Sequence, residues 1–353
     1  MNRFYWILLL MGVLSSTVIS AKPQPPSKVF LLGWDGLERG TLERLRKEGK
    51  LPNFEKLVSE GTYRHLKIRE GKTQTKGGWA QVLTGYNTKF TGVRSNSRYQ
   101  PLEAGWTILE RVEQQYAQTN TDVTTLFFSG KGENLGARGP HQICVNCRKR
   151  YTESKQLTGW WWAFMPIPTR DGTPKEYEPR SGEPYFETQK HIDVFENYIG
   201  DTADVSERLF THLLPVLDRE QQTGTTEAVF AFVHFRDPDE PGHVYGIQSH
   251  QYEQAIIEDD QVLGQLMEEL QSRGMWDDSL IAITTDHAMD TIPFEDPEQL
   301  GRHRNAPDTF LAINRSLKDT VGDRRDITPT LLDILGIEPL YIDPPLHGQS
   351  LLK

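Results

Sequence analysis

The sequence predicts an α/β fold: a three-layer α/β/α sandwich in which a mainly parallel sheet is covered by helices on both faces. Two observations predict it. Short apolar runs of strand length alternate with amphipathic stretches of helical period, an alternation that builds parallel strands joined by crossover helices. Residues of the metal-ligating kind also sit beside several of those runs, and loops at the carboxyl ends of parallel strands form the ligand crevice of such folds.

The first apolar run, Lys28 to Leu32, is followed by Gly33-Trp34-Asp35-Gly36. Amphipathic helices are predicted over Leu37 to Glu48, Asn53 to Glu60 and Ala104 to Tyr116. A second strand, Val123 to Phe128, ends at Ser129-Gly130, and a longer helix covers Asp201 to Leu217. The run Ala228 to Phe235 stops just before Arg236-Asp237-Pro238-Asp239. His250 to Arg273 carries apolar residues at a period close to 3.6, with Gly274 as its C-terminal cap. Leu280 to Thr284 leads to Asp286-His287, Thr309 to Ile313 comes soon after His303, and Ile327 to Leu335 is a last helix with Pro329 in its first turn. Residues from about 130 to 199 do not fit the alternation. They are rich in Pro, Gly and aromatics and read as an inserted cap over the site; a surface excursion with a small satellite core is the alternative.

The amino terminus is not part of this pattern. Asn2 and Arg3 precede an apolar stretch from Phe4 to Val13 and a small-residue region from Ser15 to Ala21. Residues 1–21 read as a signal peptide, which predicts a secreted or periplasmic protein with no stable membrane span after cleavage. The apolar stretch is short for a span; a retained anchor is the alternative. Residues 22–353 then form the catalytic domain. The net charge of -10 and the absence of a long basic run exclude a surface that grips nucleic-acid phosphates. The two cysteines, Cys144 and Cys147, read as a local disulfide in an exported chain, since a zinc ribbon needs a second pair.

Six ligand-type residues stand at separate places: Asp35, Asp239 with His243, Asp286 with His287, and His303. A lone Asp35 could simply cap the following helix. A carboxylate and an imidazole together at one strand end, as in Asp286-His287, are costly without a cation or partner. In Asp239-x-x-x-His243, the intervening Pro241 and Gly242 predict a tight turn that aims both side chains at one point. Taken in order, the six predict a hydrolase centre holding two metals.

At this point the chain resembles the alkaline phosphatase superfamily, nearest the nucleotide pyrophosphatase/phosphodiesterase and cofactor-independent phosphoglycerate mutase branches. The resemblance runs from about Val29 to the C-terminus and rests on Asp35-Gly36, Thr75 ahead of Leu83-Thr84-Gly85, Thr91-Gly92 followed by Asn96, Asp239 to His243, Asp286-His287, His303, and the closing Pro-Pro-Leu-His347-Gly-Gln-Ser-Leu-Leu. It implies a metal-dependent hydrolase of small phosphoric esters, a phosphodiesterase or nucleotide pyrophosphatase. Thr75 would be the nucleophile and pass through a phospho-threonine, and Asn96 would hold a substrate oxygen. One metal would be held by Asp239, His243 and His303, the other by Asp35, Asp286, His287 and the Thr75 oxygen. Mixed imidazole and carboxylate ligands suit two zinc ions, with manganese as a rival. Gly77 and Gly78 would let a phosphate approach the helix start. A phosphomonoesterase or phosphonate hydrolase of the same superfamily is the nearest alternative, and a metal-stabilised binding protein without catalysis is a third. The chain departs from the family at Ala288, Arg304 and Gly77, where Gly, Gly and Pro are usual, which makes His303 the least secure ligand. Thr75-Lys76-Gly77-Gly78-Trp79 lacks the Cys/Ser-x-Pro-x-Arg motif a sulfatase requires.

Some residues stay open at this stage. Trp79 and Trp160-Trp161-Trp162 could stack on a substrate ring or fill a core. Arg94 and Arg148-Lys149-Arg150 could bind a second anionic group or form a solvated face. His347 reads as structural rather than as a ligand.

Overall fold

A computed structural model describes residues 24–119, 123–135, 141–144, 177–180, 193–197, 200–291 and 301–353. The predicted signal peptide, Cys147, the Trp160 to Trp162 run and Arg148 to Arg150 lie outside them, as does most of the predicted cap.

Ten strands and ten α-helices are present among the described residues. The strands are β1 Lys28–Trp34, β2 Thr62–Lys67, β3 Val123–Ser129, β4 His141–Cys144, β5 Tyr177–Arg180, β6 Val194–Asn197, β7 Ala228–Phe235, β8 Ser279–Thr284, β9 Asp308–Ile313 and β10 Gly322–Asp323. The helices are α1 Arg39–Lys47, α2 Pro52–Ser59, α3 Thr75–Thr84, α4 Thr88–Thr91, α5 Ile108–Gln118, α6 Gly132–Leu135, α7 Thr202–Thr223, α8 Asp239–Tyr245, α9 His250–Ser272 and α10 Ile327–Ile334. Eight strands form one sheet in the order β10-β2-β9-β8-β1-β7-β3-β6, and β4 pairs with β5 separately. The short β6 runs parallel to β3 and so joins the main sheet from within the stretch predicted as a cap.

The sheet is parallel except where β9 runs antiparallel to both β2 and β8. Strand β1 lies at the centre and is buried along its whole length. Its side chains alternate between two cores. Phe30, Leu32 and Trp34 pack with residues of α1, α2, α7 and α9, while Val29 and Leu31 pack with residues of α3, α5 and α10. Two covered faces explain why β1, β7 and β8 read as near-continuous apolar runs. Strand β2 escaped the sequence reading because it alternates Leu66 with polar Arg64, His65 and Lys67 near the sheet's edge. The reversal of β9 also changes how His303 is delivered. His303 precedes its strand rather than following one, and the antiparallel direction brings the start of β9 to the edge where β8 ends.

One other predicted detail is corrected. Asp239 and His243 are not on a tight turn but on the first turns of α8. Pro241 is compatible with a helix there, because first-turn N–H groups have no intrahelical acceptor. Four-residue spacing then sets both side chains on one face.

Lys28 enters β1 fully buried, with Nζ 2.6 Å from Glu220 Oε2 on α7 and 2.8 Å from Ser27 Oγ. Removing the partner of a buried charge is costly. Glu220→Ala should therefore lower unfolding stability by about 3 kcal/mol in a urea titration.

Candidate metal centre

The site residues converge at the carboxyl edge of the parallel strands. Asp35 follows β1 directly, and its N–H donates to Phe235 O at 3.2 Å, fixing it to the end of β7. Asp286 and His287 follow β8 after Thr285, whose hydroxyl donates to His287 O at 2.7 Å. Thr75 is the first residue of α3 and is buried. Gly36, at φ +66, has no side chain because a Cβ would lie 2.5 Å from Asp239 Oδ1. Gly78 has a packing reason too: a Cβ there would sit 2.7 Å from Asp286 Cβ. Its missing side chain therefore makes room for Asp286.

Two groups of ligand atoms each lie within 4.8 Å of one another: Asp239, His287 and His303, and Asp35, Asp286 and His287. His287 belongs to both. His243 joins through Asp239, its Nε2 3.2 Å from Asp239 Oδ2. The His303 ring stacks on His287 at 4.1 Å and lies 5.1 Å from the His243 ring. Thr75 Oγ1 lies 3.5 Å from His287 Nε2. All six ligand-type residues and the threonine thus surround one small volume.

The imidazoles share one orientation. His287 Nδ1 faces the Ala288 carbonyl at 3.1 Å, and the Nδ1 atoms of His243 and His303 face the carbonyls of Gly301 and Thr73. A carbonyl only accepts, so each Nδ1 carries a proton, and in the neutral ring it is Nε2 that holds the lone pair. Burial, followed by the neighbouring His303, pushes the His287 imidazole down to about 3. Burial likewise lowers His303, whereas Asp239 outweighs burial and raises His243. The unusual setting of His303 is held by Asp290, which accepts the backbone N–H groups of Arg304 and Asn305, each at 2.9 Å.

The carboxylates are equally constrained. Burial raises Asp239, but His243 and Lys131 outweigh it and hold the carboxyl well below the usual range. Burial also raises Asp35, against which Lys131 prevails. Asp286 goes the other way, pushed well above the usual range by burial and by the charge of Asp35. Asp239 Oδ1 and Asp286 Oδ2 are buried and accept no hydrogen bond. Three buried carboxylates, two of them with an oxygen that accepts no hydrogen bond, beside three imidazoles are a donor set suited to a divalent cation of the zinc or manganese type.

Sequence reasoning missed Lys131, which is buried with Nζ 3.3 Å from Asp35 Oδ1 and in contact with Asp239 Oδ2. Its signal was positional: it stands two residues beyond β3, as Asp35 stands one beyond β1. It also missed His234, a lone imidazole within the apolar β7 run, fully buried and bonded to Asp35. Asn96 lies beside the helix start, where its Oδ1 accepts the Lys76 N–H at 2.9 Å. Trp79 is fully buried on α3 against Phe232 and His234, so it fills core rather than stacking on a ligand. Arg94 is exposed, and His347 packs on Tyr86 and Phe90 away from the ligand groups.

Comparisons with known proteins agree with this arrangement. The family model for type I phosphodiesterase / nucleotide pyrophosphatase matches residues 29–321. A bis(5'-adenosyl)-triphosphatase of Bos taurus is 20% identical over 285 residues, covering 80% of this chain and 52% of its own. Venom phosphodiesterase 2 of Crotalus adamanteus is 22% identical over 295 residues, covering 81% of this chain and 30% of its own. The chain thus spans about half the length of the first of these relatives and less of the second. Among solved structures, an alkaline phosphatase superfamily protein from Vibrio parahaemolyticus superposes with a TM-score of 0.53 at 14% identity, covering 94% of this chain and 71% of that one. A phosphonate monoester hydrolase from Silicibacter pomeroyi gives 0.52 at 17%, covering 92% and 76%. These two similarities establish an alkaline phosphatase-like fold.

The raised Asp286 carboxyl gives a signed test. In chelator-treated protein, a carboxyl raised above its unfolded value contributes stability at low pH that is lost as pH rises through the raised value. Asp286→Asn should remove that loss. Thermal melts from pH 4 to 8 should show the variant gaining on the parent as pH rises, while its zinc affinity falls by about 100-fold or more.

Proposed function

Because the chain belongs to the type I phosphodiesterase / nucleotide pyrophosphatase family, we propose that it is an exported hydrolase of small phosphoric diesters or nucleotide pyrophosphates, with Thr75 as nucleophile. The observation that carries the reading is the position of the Thr75 hydroxyl. It stands buried at the head of α3, 3.5 Å from Nε2 of His287, the one residue common to both ligand groups. The apolar amino-terminal segment supports export.

Asp239, His243 and His303 would hold one cation, and Asp35, Asp286, His287 and the Thr75 oxygen a second; zinc suits the donors, with manganese as the rival. Such cations supply charge neutralisation and lower the pKa of a hydroxyl. Thr75 Oγ gives up its proton to solvent and forms a bond to phosphorus as the bond from phosphorus to the leaving oxygen breaks, that oxygen taking a proton from solvent. Water then attacks phosphorus, the bond from phosphorus to Thr75 Oγ breaks, the phosphoryl product is released and Thr75 regains its proton. Asn96 orients the phosphoryl group: its Oδ1 is engaged by the Lys76 N–H, so Nδ2 is the end that donates to a non-bridging oxygen. Its own N–H donates to Gln74 Oε1 at 3.2 Å, which ties it to the start of the same helix.

Lys131 favours a second reading. A buried ammonium among the ligands adds positive charge that a doubly charged phosphomonoester or phosphonate would use better than a singly charged diester.

Zinc- and manganese-loaded protein should be assayed on bis-p-nitrophenyl phosphate, p-nitrophenyl thymidine monophosphate and p-nitrophenyl phosphate. The expected result is preference for the diesters; preference for the monoester selects the second reading, and no turnover on any points to a binding protein. Thr75→Ala should abolish turnover with metal content nearly intact. Lys131→Met should cost monoester turnover about 10-fold more than diester turnover, measured as the ratio of kcat/KM values.

A further inference from the structure

Asp35 is gripped from behind by groups that take no direct part in the chemistry proposed above. Its Oδ2 accepts from His234 Nε2 at 2.8 Å and from Trp79 Nε1 at 3.2 Å. Its Oδ1 faces the centre, 3.8 Å from His287 Nε2. Behind His234, Nδ1 lies 3.2 Å from Ser129 Oγ, and Ser129 Oγ accepts the Lys131 N–H at 3.2 Å.

The protons in this chain can be assigned. The Lys131 backbone N–H and the Trp79 indole only donate. Ser129 Oγ takes the Lys131 proton and directs its own hydroxyl proton to His234 Nδ1. His234 Nε2 then carries the remaining ring proton and gives it to Asp35 Oδ2. Every member is satisfied: the imidazole and indole both fall on Oδ2, while Oδ1 carries only the longer 3.3 Å contact from Lys131 Nζ and is the oxygen turned toward His287.

Strand register builds this row. Ser129 pairs with His234 across β3 and β7, and His234 pairs with Gly33 across β7 and β1. The residues are therefore neighbours along one line across the sheet. Gly33 leaves the space that the Trp79 ring fills, since a Cβ there would overlap that ring. The Trp79 and His234 rings meet edge to face at 5.1 Å and 87°. Helix α3, which carries Thr75 at its head, is thus keyed through Trp79 to the residue that holds Asp35.

We propose that the Ser129–His234 pair, with Trp79, is a positioning device that fixes Asp35 as a one-oxygen ligand and couples its placement to the Thr75 helix. This inference rests on the metal reading above. Its test is zinc titration of chelator-stripped parent, His234→Leu, His234→Gln and Trp79→Phe proteins by competition with a chromophoric chelator, with melts to confirm folding. The parent should bind two equivalents. His234→Leu should weaken one equivalent by about 10- to 100-fold and leave the other unchanged. His234→Gln, whose amide can still donate to Asp35, should recover most of the loss, and Trp79→Phe should weaken the same equivalent less than His234→Leu does. In the loaded enzyme, kcat should fall with KM little changed. Parent-like zinc affinity in folded His234→Leu and Trp79→Phe, or a Gln variant no better than Leu, overturns the inference while leaving the metal reading intact. A parent that binds no zinc overturns both.

Discussion

Three carboxylates, Asp35, Asp239 and Asp286, are held out of water at one edge of the sheet, and the remaining architecture answers to that constraint. Burying one carboxylate without compensation is costly; burying three side by side adds mutual repulsion. The protein spends its nearby donors unevenly. Asp35 receives an imidazole, an indole and an ammonium, while Asp239 Oδ1 and Asp286 Oδ2 receive no hydrogen bond. That imbalance divides the site into a braced part and an open part.

The supporting structure is rigid for the same reason. Asp35, Asp286 and His287 stand within three residues of a strand end, and Asp239 and His243 on the first turns of a helix, so little chain freedom separates them from the core; His303, five residues ahead of β9, is fixed instead by its contact with the Thr73 carbonyl. Arg324, fully buried, donates to Asp286 O at 2.7 Å and to Lys72 O at 3.0 Å, tying the ligand loop to the chain leading into α3. Gly36 and Gly78 allow backbone to press against Asp239 and Asp286. The buried Asp and His side chains are therefore held in place by the fold itself, the kind of fixed arrangement that electrostatic preorganisation requires.

Much of this was legible in the sequence. Strands β1, β7 and β8 announced themselves because helices cover both faces, and the ligands because carboxylates and imidazoles stood at their ends. Other features were hidden for physical reasons. The polar side chains of β2 masked its strand character. Turn-prone Pro241 and Gly242 disguised the opening of a helix, since first-turn positions tolerate what a helix interior would not. His303 was the least secure of the six in the sequence because Arg304 follows it; the reversed direction of β9, invisible locally, is what brings the residues before that strand to the edge where β8 ends. Lys131 and His234 carry no ligand spacing. Their roles come from which strands lie side by side, which no local pattern encodes.

The three imidazoles are each aimed by a main-chain carbonyl, not by another side chain. The aim of the metal centre is therefore written in the path of the backbone and leaves the neighbouring side chains free to drift. His287 and His303 keep that bearing beside Ala288 and Arg304, whose side chains take no part in it. A signature search keyed to the side chains flanking each histidine would therefore weigh residues that do not aim the rings, whereas one keyed to the order of the Asp and His residues and the strands beside them would weigh what does.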